Sequence, residues 1–500
     1  MLTSREAYVQ LSSGPLSERC SIMPGQPLQG TLRLPGSKYY TARYILAAAL
    51  ADGESMVCNP ALSDDTDVLV QALTELGAQF RYGIGRAPGQ QYGKELAPIG
   101  EGQEVVLRIK GTGGRLVVPA SGEINAGNAG AVLRLLLGVG ATLPEVRFTT
   151  PFPESLGRRP NVDLLDALVQ LGAEAKAKGP NGELPITLRG GRLHGGHVRI
   201  SGARSSQYLS ALLFLAPLIG EDVAIERVDE LHSAPLVHIT LRVLTEAGIA
   251  VEHDAELRHF FIPGGQQYQP RDYLVPGDYP SAATWLAAGA IAGGEVTLLG
   301  LRDRTPQPLC HKSGECGRTA AEDRDGDASE RSLLQAFGSM GVRMEWRDDG
   351  ALVVRGGAPL RGIRFDGDRV IDSVPALVAA ACFAGGETHI TNVATLHYKE
   401  SDRIVDLCAE LRRVGGAVTP GTDSITVQGQ PEGLEGGTTV DGHQDHRLIM
   451  ALSVVALRCR RGLTITGAQH VSKSYPTFFT ELARLGARVA FDAPLNGALQ

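Results

Sequence analysis

Small hydroxyl and basic residues stand where the sequence predicts the start of a helix. Gly-Ser-Lys occupies 36–38 directly before an apolar run, and Ser-Ser-Gln occupies 205–207 before another. The first N–H groups of a helix carry a partial positive charge, so hydroxyl and ammonium groups beside them suit a bound phosphate. A serine at such a position also caps a helix without any ligand. The first segment therefore predicts either an anion site or an ordinary helix cap by Ser37, and the second predicts a neutral site for a phosphate.

Two further segments combine glycine with arginine. Gly-Asn-Ala-Gly at 127–130 leads to Arg134, and Gly-Arg-Arg-Pro fills 157–160. Glycine lets the backbone approach a ligand closely, and arginine binds carboxylate or phosphate through two parallel hydrogen bonds. A plain glycine-rich turn is the alternative for the first segment.

Acidic and basic residues occur together in the second half of the chain. Lys-Glu-Ser-Asp-Arg occupies 399–403 and Asp-His-Arg occupies 445–447, with Asp372 before them and Lys473 after them. A charge run usually marks a solvated helix face, but these residues stand at the ends of apolar helices. Carboxylates can transfer protons, and several Lys and Arg side chains together can hold anions. The pattern predicts a cleft for two anionic ligands.

A repeated pattern of helices and strands must position these residues. An amphipathic helix, a glycine and a short strand recur six times, and each glycine is placed to end its helix in the left-handed conformation. An Ala-rich helix that is apolar on all sides, and hence buried, alternates with the first type. The six turn glycines are Gly77, Gly172, Gly248, Gly341, Gly415 and Gly486.

Six copies of this pattern predict an α/β fold with two domains of three copies each. We expect one domain at 36–276 and the other at 1–35 together with 277–500. The polar segment 302–332 interrupts the repeat and is predicted to be a surface insertion. It contains Cys310, His311 and Cys316, for which a metal site is the weaker alternative to a solvated loop.

Length, charge and cysteine content narrow the class of protein. The 500 residues exceed what one hydrophobic core usually supports. The net charge of −7 gives no basic excess for nucleic acid or an anionic membrane. Seven scattered cysteines favour a reducing compartment, and the N-terminus lacks the apolar run of a signal peptide. We therefore expect a cytoplasmic protein.

In order and rough spacing, these motifs resemble the enolpyruvyl transferase family. The resemblance extends from about residue 28 to 495, and it is strongest to the branch that acts on 3-phosphoshikimate. The branch that acts on UDP-N-acetylglucosamine fits less well at 36–38, 127–130 and 205–207. The resemblance implies two domains, each of three βαβαββ units, which close over a central cleft.

The resemblance also implies the chemistry and the residues that carry it. An acceptor hydroxyl adds to C2 of phosphoenolpyruvate while C3 gains a proton, and loss of a C3 proton and of phosphate follows. Asp372 is the implied general base, Glu400 and Lys38 are the candidates for proton transfer, and Lys473 lies beside the leaving phosphate. The implied contacts of phosphoenolpyruvate are Lys38, Gly130, Arg159, Gln207, Arg403, Arg447 and Lys473. No metal or organic cofactor is implied.

The implied acceptor site departs from the family pattern on one side. The matches on the phosphate side are Ser205, Ser206, Ser233 and Lys399, and Arg43 and Asp372 are also kept. On the ring side, Tyr39 replaces Ser, Leu236 replaces Tyr and Thr395 replaces Asn, while His397-Tyr398 replaces Arg-Val. The sequence therefore favours a different phosphorylated acceptor, such as a nucleoside monophosphate whose base could stack on Tyr39 or Tyr40.

Three alternatives remain open at this point. The first is a 3-phosphoshikimate enzyme with tolerated substitutions. For the two tyrosines, ordinary core packing is the alternative to stacking. A non-catalytic metabolite-binding protein is disfavoured, because a pure binder does not need both proton-transfer carboxylates. We expect small-molecule substrates, no nucleic acid or membrane partner, and a monomer.

Overall fold

The computed structural model describes residues 18–25, 27–85, 104–301 and 328–492. These residues form two compact units. Unit 1 comprises 36–275, and unit 2 comprises the described residues up to Pro35 together with those from Pro276 onward. The prediction of two domains, one at 36–276 and the other at 1–35 together with 277–500, stays a prediction.

Unit 1 contains six α-helices and twelve strands in its described part. The helices are α1 Lys38–Leu50, α2 Asp64–Glu75, α3 Gly130–Gly140, α4 Val162–Gln170, α5 Ser206–Ile219 and α6 Ala234–Glu246. The strands before the second copy of the repeat are β3 Glu54–Cys58, β4 Gln79–Gly85 and β5 Glu104–Lys110. The others are β6 Glu123–Asn125, β7 Val146–Thr149, β8 Glu174–Ala177, β9 Ile186–Arg189, β10 Gly196–Ile200, β11 Val223–Arg227, β12 Glu252–His253 and β13 His259–Ile262. Strand β14, Asp272–Leu274, pairs in parallel with β3.

Unit 2 begins with β1 Arg19–Met23 and β2 Leu28–Arg33. Its α-helices in the described part are α7 Tyr279–Ala292, α8 Ala328–Ser339, α9 Val374–Ala381, α10 Arg403–Arg413, α11 His446–Ala456 and α12 Phe478–Arg484. Its later strands are β15 Gly294–Leu299, β16 Arg343–Trp346, β17 Leu352–Arg355, β18 Arg364–Asp366, β19 Glu387–Thr391, β20 Ala417–Pro420, β21 Ser424–Gln428, β22 Thr438–Asp441, β23 Leu463–Thr466 and β24 Arg488–Phe491. Helix α8 contains residues 328–332, which the sequence assigned to the predicted insertion, and the remainder of that segment, 302–327, lies outside the described residues.

The described strands form six four-stranded sheets with one topology. In the sheet β6-β7-β9-β8, the first pair is parallel and the other two pairs are antiparallel. The other five sheets repeat this order, three sheets lying in each unit. Strand β1 completes the last sheet beside β23 and β24, and β2 pairs with β15. This confirms the predicted α/β class and its six βαβαββ copies.

Each copy contains the two helix types that the sequence predicts. The helix that precedes the second strand is buried on nearly all sides: α1, α3, α5, α7, α9 and α11. The second helix exposes one face and ends before a turn glycine. All six turn glycines have positive φ, as a left-handed helix end requires. At Gly172 a side chain would also place Cβ 2.5 Å from the carbonyl oxygen of Arg192.

The buried helices position the candidate residues. The candidates Lys38, Gly130 and Ser206 are the first residues of α1, α3 and α5, none of which has an acidic residue in its first turn. In unit 2, α7 and α11 are capped by the carboxylates of Asp278 and Asp445. The N-termini of α1, α3 and α5 in unit 1 are therefore suited to bind anions. In unit 2, the N-termini of α7 and α11 are instead bound by carboxylates of the chain itself. No helix within the described ranges is both long and apolar enough to cross a membrane.

Candidate active site

In unit 1, two arginines and a glutamine lie around the start of α3. A Cβ on Gly130 would lie 2.7 Å from Nη1 of Arg159 and 3.1 Å from Nη1 of Arg134. Arg134 Nη1 donates to Oε1 of Gln207 at 2.7 Å, and its Nε donates to Oδ1 of Asn161 at 3.2 Å. Because Oε1 accepts this bond, the other end of the Gln207 amide is its NH₂ group, a hydrogen-bond donor. Three predicted donor-site residues, Gly130, Arg159 and Gln207, therefore occur together.

Arg134 links these residues, although the sequence only marked it as following the glycine segment. It is buried, and its Nη2 donates to the carbonyl of Pro160 at 3.3 Å. Its guanidinium also lies 5.5 Å from the ring centre of Tyr208. The sequence signal for this role was Arg134 itself, because it lies four residues after the start of a helix that is predicted to be buried, where a charge is costly.

The serine positions of unit 1 differ in their structural roles. Ser205 caps α5 by accepting a hydrogen bond from the N–H of Gln207 at 3.3 Å. Ser37 precedes α1 but makes no side-chain cap, so the ordinary-cap alternative for that segment is wrong. Ser206 is buried, and Ser233, at the start of α6, has φ of 55°. A non-glycine residue in this conformation is strained, and such strain concentrates at functional sites.

Lys38 forms an ion pair that the sequence did not predict. Its Nζ lies 2.8 Å from Oδ2 of Asp65 in α2, and both side chains are mostly buried. The acidic first turn of α2, which contains Asp64, Asp65 and Asp67, was the only signal. Asp65 therefore holds the ammonium group of a predicted proton-transfer residue.

The Arg43 guanidinium is turned into the core of unit 1. Its nitrogens donate to Oγ1 of Thr240 at 2.8 Å, to Oγ of Ser210 at 3.4 Å, and to the carbonyls of Tyr39 and Leu236 at 3.1 and 3.3 Å. Burial lowers the pKa of Arg43 to about 10, so it stays a cation at neutral pH. These bonds tie α1, α5 and α6 together, and a contact from Arg43 to the acceptor stays a prediction.

Tyr39 and Tyr40, the two tyrosines that follow Lys38, differ in how deeply they are buried. Tyr40 is 2 % exposed and packs against Tyr44, with ring centres 5.6 Å apart. Its suggested stacking on a ligand base is therefore wrong, because the ring belongs to the core. Tyr39 is half-buried, and its acceptor contact stays a prediction.

In unit 2, the guanidinium of Arg403 joins three carboxylates. It makes a two-pronged contact with Asp445, through Nε at 2.7 Å and Nη2 at 3.2 Å. Nη1 donates to Oδ1 of Asp372 at 2.7 Å, and Nη2 donates to Oε2 of Glu400 at 2.8 Å. Burial lowers the pKa of Arg403, but the charges of Asp445, Glu400 and Asp372 outweigh burial and raise it. One N–H of Nη1 is not used in these bonds.

Two lysines complete this cluster. Lys473 Nζ lies 2.8 Å from Oε1 of Glu400, and Lys399 Nζ lies 3.2 Å from Oδ1 of Asp372. Each carboxylate that is predicted to transfer protons therefore has two cationic neighbours, one of which is Arg403. We call these six residues the charged cluster: Asp372, Lys399, Glu400, Arg403, Asp445 and Lys473. Asp445 was noted in the sequence only as part of its motif, and its pairing with Arg403 was missed.

Arg447 lies beside the cap of another buried helix. Its Nη2 is 3.4 Å from Oδ2 of Asp278, and the Arg447 side chain is 4 % exposed. Nη1 of Arg447 and Oδ1 of Asp278 are buried and find no hydrogen-bond partner within the part of the chain that the structure describes. A buried, unpartnered donor on a cation is costly, which points to an anionic ligand. Asp278 was missed in the sequence, where Asp-x-x-Ser before an apolar helix was the signal.

Thr395, which is predicted to lie on the ring side of the acceptor, carries a buried polar atom. Its Oγ1 is buried and makes no hydrogen bond to any described residue. The described residues contain no group of three or more His, Cys, Asp or Glu side chains placed to hold a metal ion. The suggested metal site at Cys310, His311 and Cys316 lies outside the described residues.

Comparison with known proteins connects this chain to one family. The family model described as EPSP synthase (3-phosphoshikimate 1-carboxyvinyltransferase) matches residues 22–86 and 94–482. A curated protein of that name from Deinococcus radiodurans is 42% identical over 94% of this chain and 96% of its own length. One from Burkholderia pseudomallei is 35% identical over 92% of this chain and 93% of its own.

Solved structures show the same fold. EPSP synthase from Acinetobacter baumannii matches with a TM-score of 0.71 and 26% identity, over 94% of this chain and 99% of that one. The enolpyruvyl transferase NikO from Streptomyces tendae matches in fold with a TM-score of 0.68 and 20% identity, over 95% and 99%. The motifs, the six repeated sheets and these matches agree, and the chain belongs to the EPSP synthase family of enolpyruvyl transferases.

Proposed function

We propose that this protein transfers the enolpyruvyl group of phosphoenolpyruvate to a hydroxyl of 3-phosphoshikimate and releases phosphate. The observation that carries the proposal is the charged cluster, in which one buried guanidinium holds two carboxylates that each contact a lysine. Such an arrangement provides two proton-transfer groups and the cations that an anionic donor needs. We propose that it acts in the cytoplasm as a monomer without a cofactor.

Each unit by itself contains groups suited to the anionic groups of phosphoenolpyruvate. In unit 1, Arg159, the amide of Gln207 and the backbone of Gly130 are suited to phosphate or carboxylate oxygens. In unit 2, Nη1 of Arg447 and the remaining N–H of Arg403 Nη1 are donors suited to an anionic group. Lys473 and Lys38 add positive charge for the leaving phosphate and the donor.

The acid–base steps fall to the carboxylates of the charged cluster. Asp372 takes the proton of the acceptor hydroxyl as its oxygen bonds to C2 of phosphoenolpyruvate, and C3 gains a proton to become a methyl group. Glu400 is suited to give and later remove the C3 proton, because the adjacent ammonium of Lys473 can supply a proton. The C2–O bond to phosphate then breaks as the C2–C3 double bond forms again. Lys38 is the second candidate for the C3 proton.

The relatives favour 3-phosphoshikimate as the acceptor. The curated proteins at 42% and 35% identity over nearly the whole chain carry the name 3-phosphoshikimate 1-carboxyvinyltransferase. The sequence alone favoured a different acceptor, because Tyr39, Leu236 and Thr395 depart from the family pattern. A nucleoside monophosphate is therefore the second candidate, supported by those three changes, although Tyr40 is no longer available for stacking.

An acceptor panel tests the proposal. The enzyme is incubated with phosphoenolpyruvate and, in separate reactions, 3-phosphoshikimate or a nucleoside monophosphate. Product mass and released phosphate are then measured. We expect an enolpyruvyl adduct of 3-phosphoshikimate with one phosphate released for each adduct. An adduct on the nucleotide alone would select the second candidate, and no phosphate release with either acceptor would favour a binding protein.

Replacement of Gly130 by alanine is expected to weaken donor binding. The new Cβ would lie 2.7 Å from Nη1 of Arg159 and would displace this guanidinium, a flexible side-chain end, without breaking the fold. Loss of one charge-assisted hydrogen bond is worth about 1.5–3 kcal/mol, or roughly 10- to 100-fold in the KM for phosphoenolpyruvate. Gly338→Ala is the control, because its Cβ would meet only Cε of Met344 at 3.8 Å. Equal KM values in the two variants would remove Gly130 and Arg159 from the donor site.

The ring-side substitutions are expected to be compatible with 3-phosphoshikimate. The parent should use this acceptor with kcat/KM in the ordinary enzyme range of about 10⁴–10⁸ M⁻¹s⁻¹. The double variant Tyr39→Ser with Leu236→Tyr should then change this value by less than about tenfold, since the phosphate side is intact. A gain of about 100-fold or more in the double variant, from a poor parent, would show that the natural acceptor is another compound.

A further inference from the structure

His397 holds the segment that leads into the charged cluster. It lies in the short 3-10 helix Ala394–Tyr398, directly before Lys399 and Glu400. Its Nδ1 is 2.8 Å from both carboxylate oxygens of Asp402, and its Nε2 is 3.0 Å from the carbonyl oxygen of Thr422. The ring therefore connects the start of α10 to the turn between β20 and β21.

The partners of His397 determine its protonation. A carboxylate and a carbonyl can only accept hydrogen bonds, so both ring nitrogens must donate, and only the imidazolium form does so. Asp402 also accepts the N–H of Val405 at 3.1 Å as the cap of α10, which requires an unprotonated oxygen. Either neutral form would turn a ring lone pair toward an acceptor.

The turn between β20 and β21 also hydrogen-bonds the N-terminal end of the 3-10 helix Ala394–Tyr398. Oδ1 of Asp423 accepts the N–H of Ala394 at 2.6 Å, and the carbonyl of Asp423 accepts the N–H of Val393 at 3.4 Å. Two acidic groups therefore face the ring, Asp402 from α10 and Asp423 from the turn. Burial lowers the pKa of His397, but hydrogen bonds to Asp402 and Thr422 and the charges of both acids raise it overall.

We propose that His397 is a positioning residue whose imidazolium form holds Lys399 and Glu400 in place for the transfer reaction. This inference rests on the proposed function of the charged cluster. The contact is complete below the pKa of an unfolded histidine, about 6.5, and is lost as the pH rises through the higher value in the folded protein. Deprotonation turns a ring lone pair toward Asp402 or Thr422, and the segment before Glu400 loosens.

The first test does not depend on catalysis. Nitrogen-15 NMR of the full-length protein labelled at histidine reports whether each ring nitrogen carries a proton, with the signal assigned by its loss in His397→Gln. We expect both nitrogens to be protonated at pH 7, and the titration midpoint to fall in Asp402→Asn, which keeps the cap but removes the charge. A neutral ring at pH 7, or an unchanged midpoint in Asp402→Asn, would overturn the proposal.

The second test follows kcat for enolpyruvyl transfer against pH. In the parent, kcat should fall on the alkaline side with the midpoint that NMR gives for His397. The guanidinium of His397→Arg stays charged, so this fall should move to higher pH. His397→Gln should lose up to about 100-fold in kcat at every pH, as a misplaced catalytic group can. Coincident pH profiles of the parent and His397→Arg would overturn the positioning role, whereas inactivity of the parent with every acceptor would contradict only the proposed function.

Discussion

Replacement of Asp372 by asparagine is expected to lower kcat by about 10²- to 10⁴-fold, the usual contribution of positioned proton transfer. Asparagine keeps the shape and can still accept a hydrogen bond from Arg403, but it cannot take the acceptor's proton. Glu400→Gln should have a loss of similar size, because its amide cannot exchange a proton at C3. Steady-state kinetics with saturating substrates measures kcat, and calorimetry measures the Kd of each ligand.

The control for these carboxylate variants is Asp348→Asn. Asp348 is exposed in a turn of unit 2, so the same chemical change there should leave kcat within about twofold. We expect only modest changes in Kd for Asp372→Asn and Glu400→Gln, since the cations around them remain. A kcat near that of the parent in either variant would exclude that residue from proton transfer.

Replacement of Arg403 by glutamine is expected to destabilise unit 2 and to abolish measurable transfer. The side chain is 2 % exposed and neutralises Asp445, which is fully buried, as well as Asp372 and Glu400. Removal of one partner from a buried ion pair costs about 3–5 kcal/mol, because it leaves charge buried without compensation. Both tryptophans, Trp285 and Trp346, lie in unit 2, so their fluorescence during urea unfolding reports this unit.

The pH dependence of this variant distinguishes buried charge from lost packing. Without the guanidinium, the carboxylates of the folded variant bind protons more readily than in the unfolded chain, so the stability deficit should shrink as the pH falls. Arg347→Gln, which breaks an exposed pair with Glu295, should cost no more than about 1 kcal/mol. A deficit for Arg403→Gln as small as that of Arg347→Gln would contradict the role of Arg403 in the cluster.

The repeat was accessible to sequence reasoning because its signals are local. The period of apolar residues distinguishes a buried helix from a half-exposed one, and a glycine marks each left-handed helix end. All six turn glycines, from Gly77 to Gly486, have the expected positive φ. The pairing of β1 with β23 could not be predicted in this way, because it joins residues more than 400 positions apart. No local pattern records such a contact.

The site was predictable in its residue types but not in its pairings. The motifs indicated that Arg403, Glu400 and Asp372 act in one region, and the structure brings them together. Their mutual neutralisation, like the pairing of Lys38 with Asp65, depends on which helices lie side by side. The burial of Arg43 also depends on which helices lie side by side, because its four hydrogen bonds are with residues of α1, α5 and α6. A buried cation is recognisable in sequence only when its helix is known to be buried.

The most direct test of enolpyruvyl transfer is the reaction of phosphoenolpyruvate with 3-phosphoshikimate in heavy water, followed by proton NMR and mass spectrometry of the product. Because C3 passes through a methyl group that gains one solvent proton and loses one proton, the product should carry deuterium in its vinyl methylene. Released phosphate should equal the product formed. A product with an unlabelled methylene, a phosphorylated acceptor with free pyruvate, or no product from 3-phosphoshikimate would contradict the account.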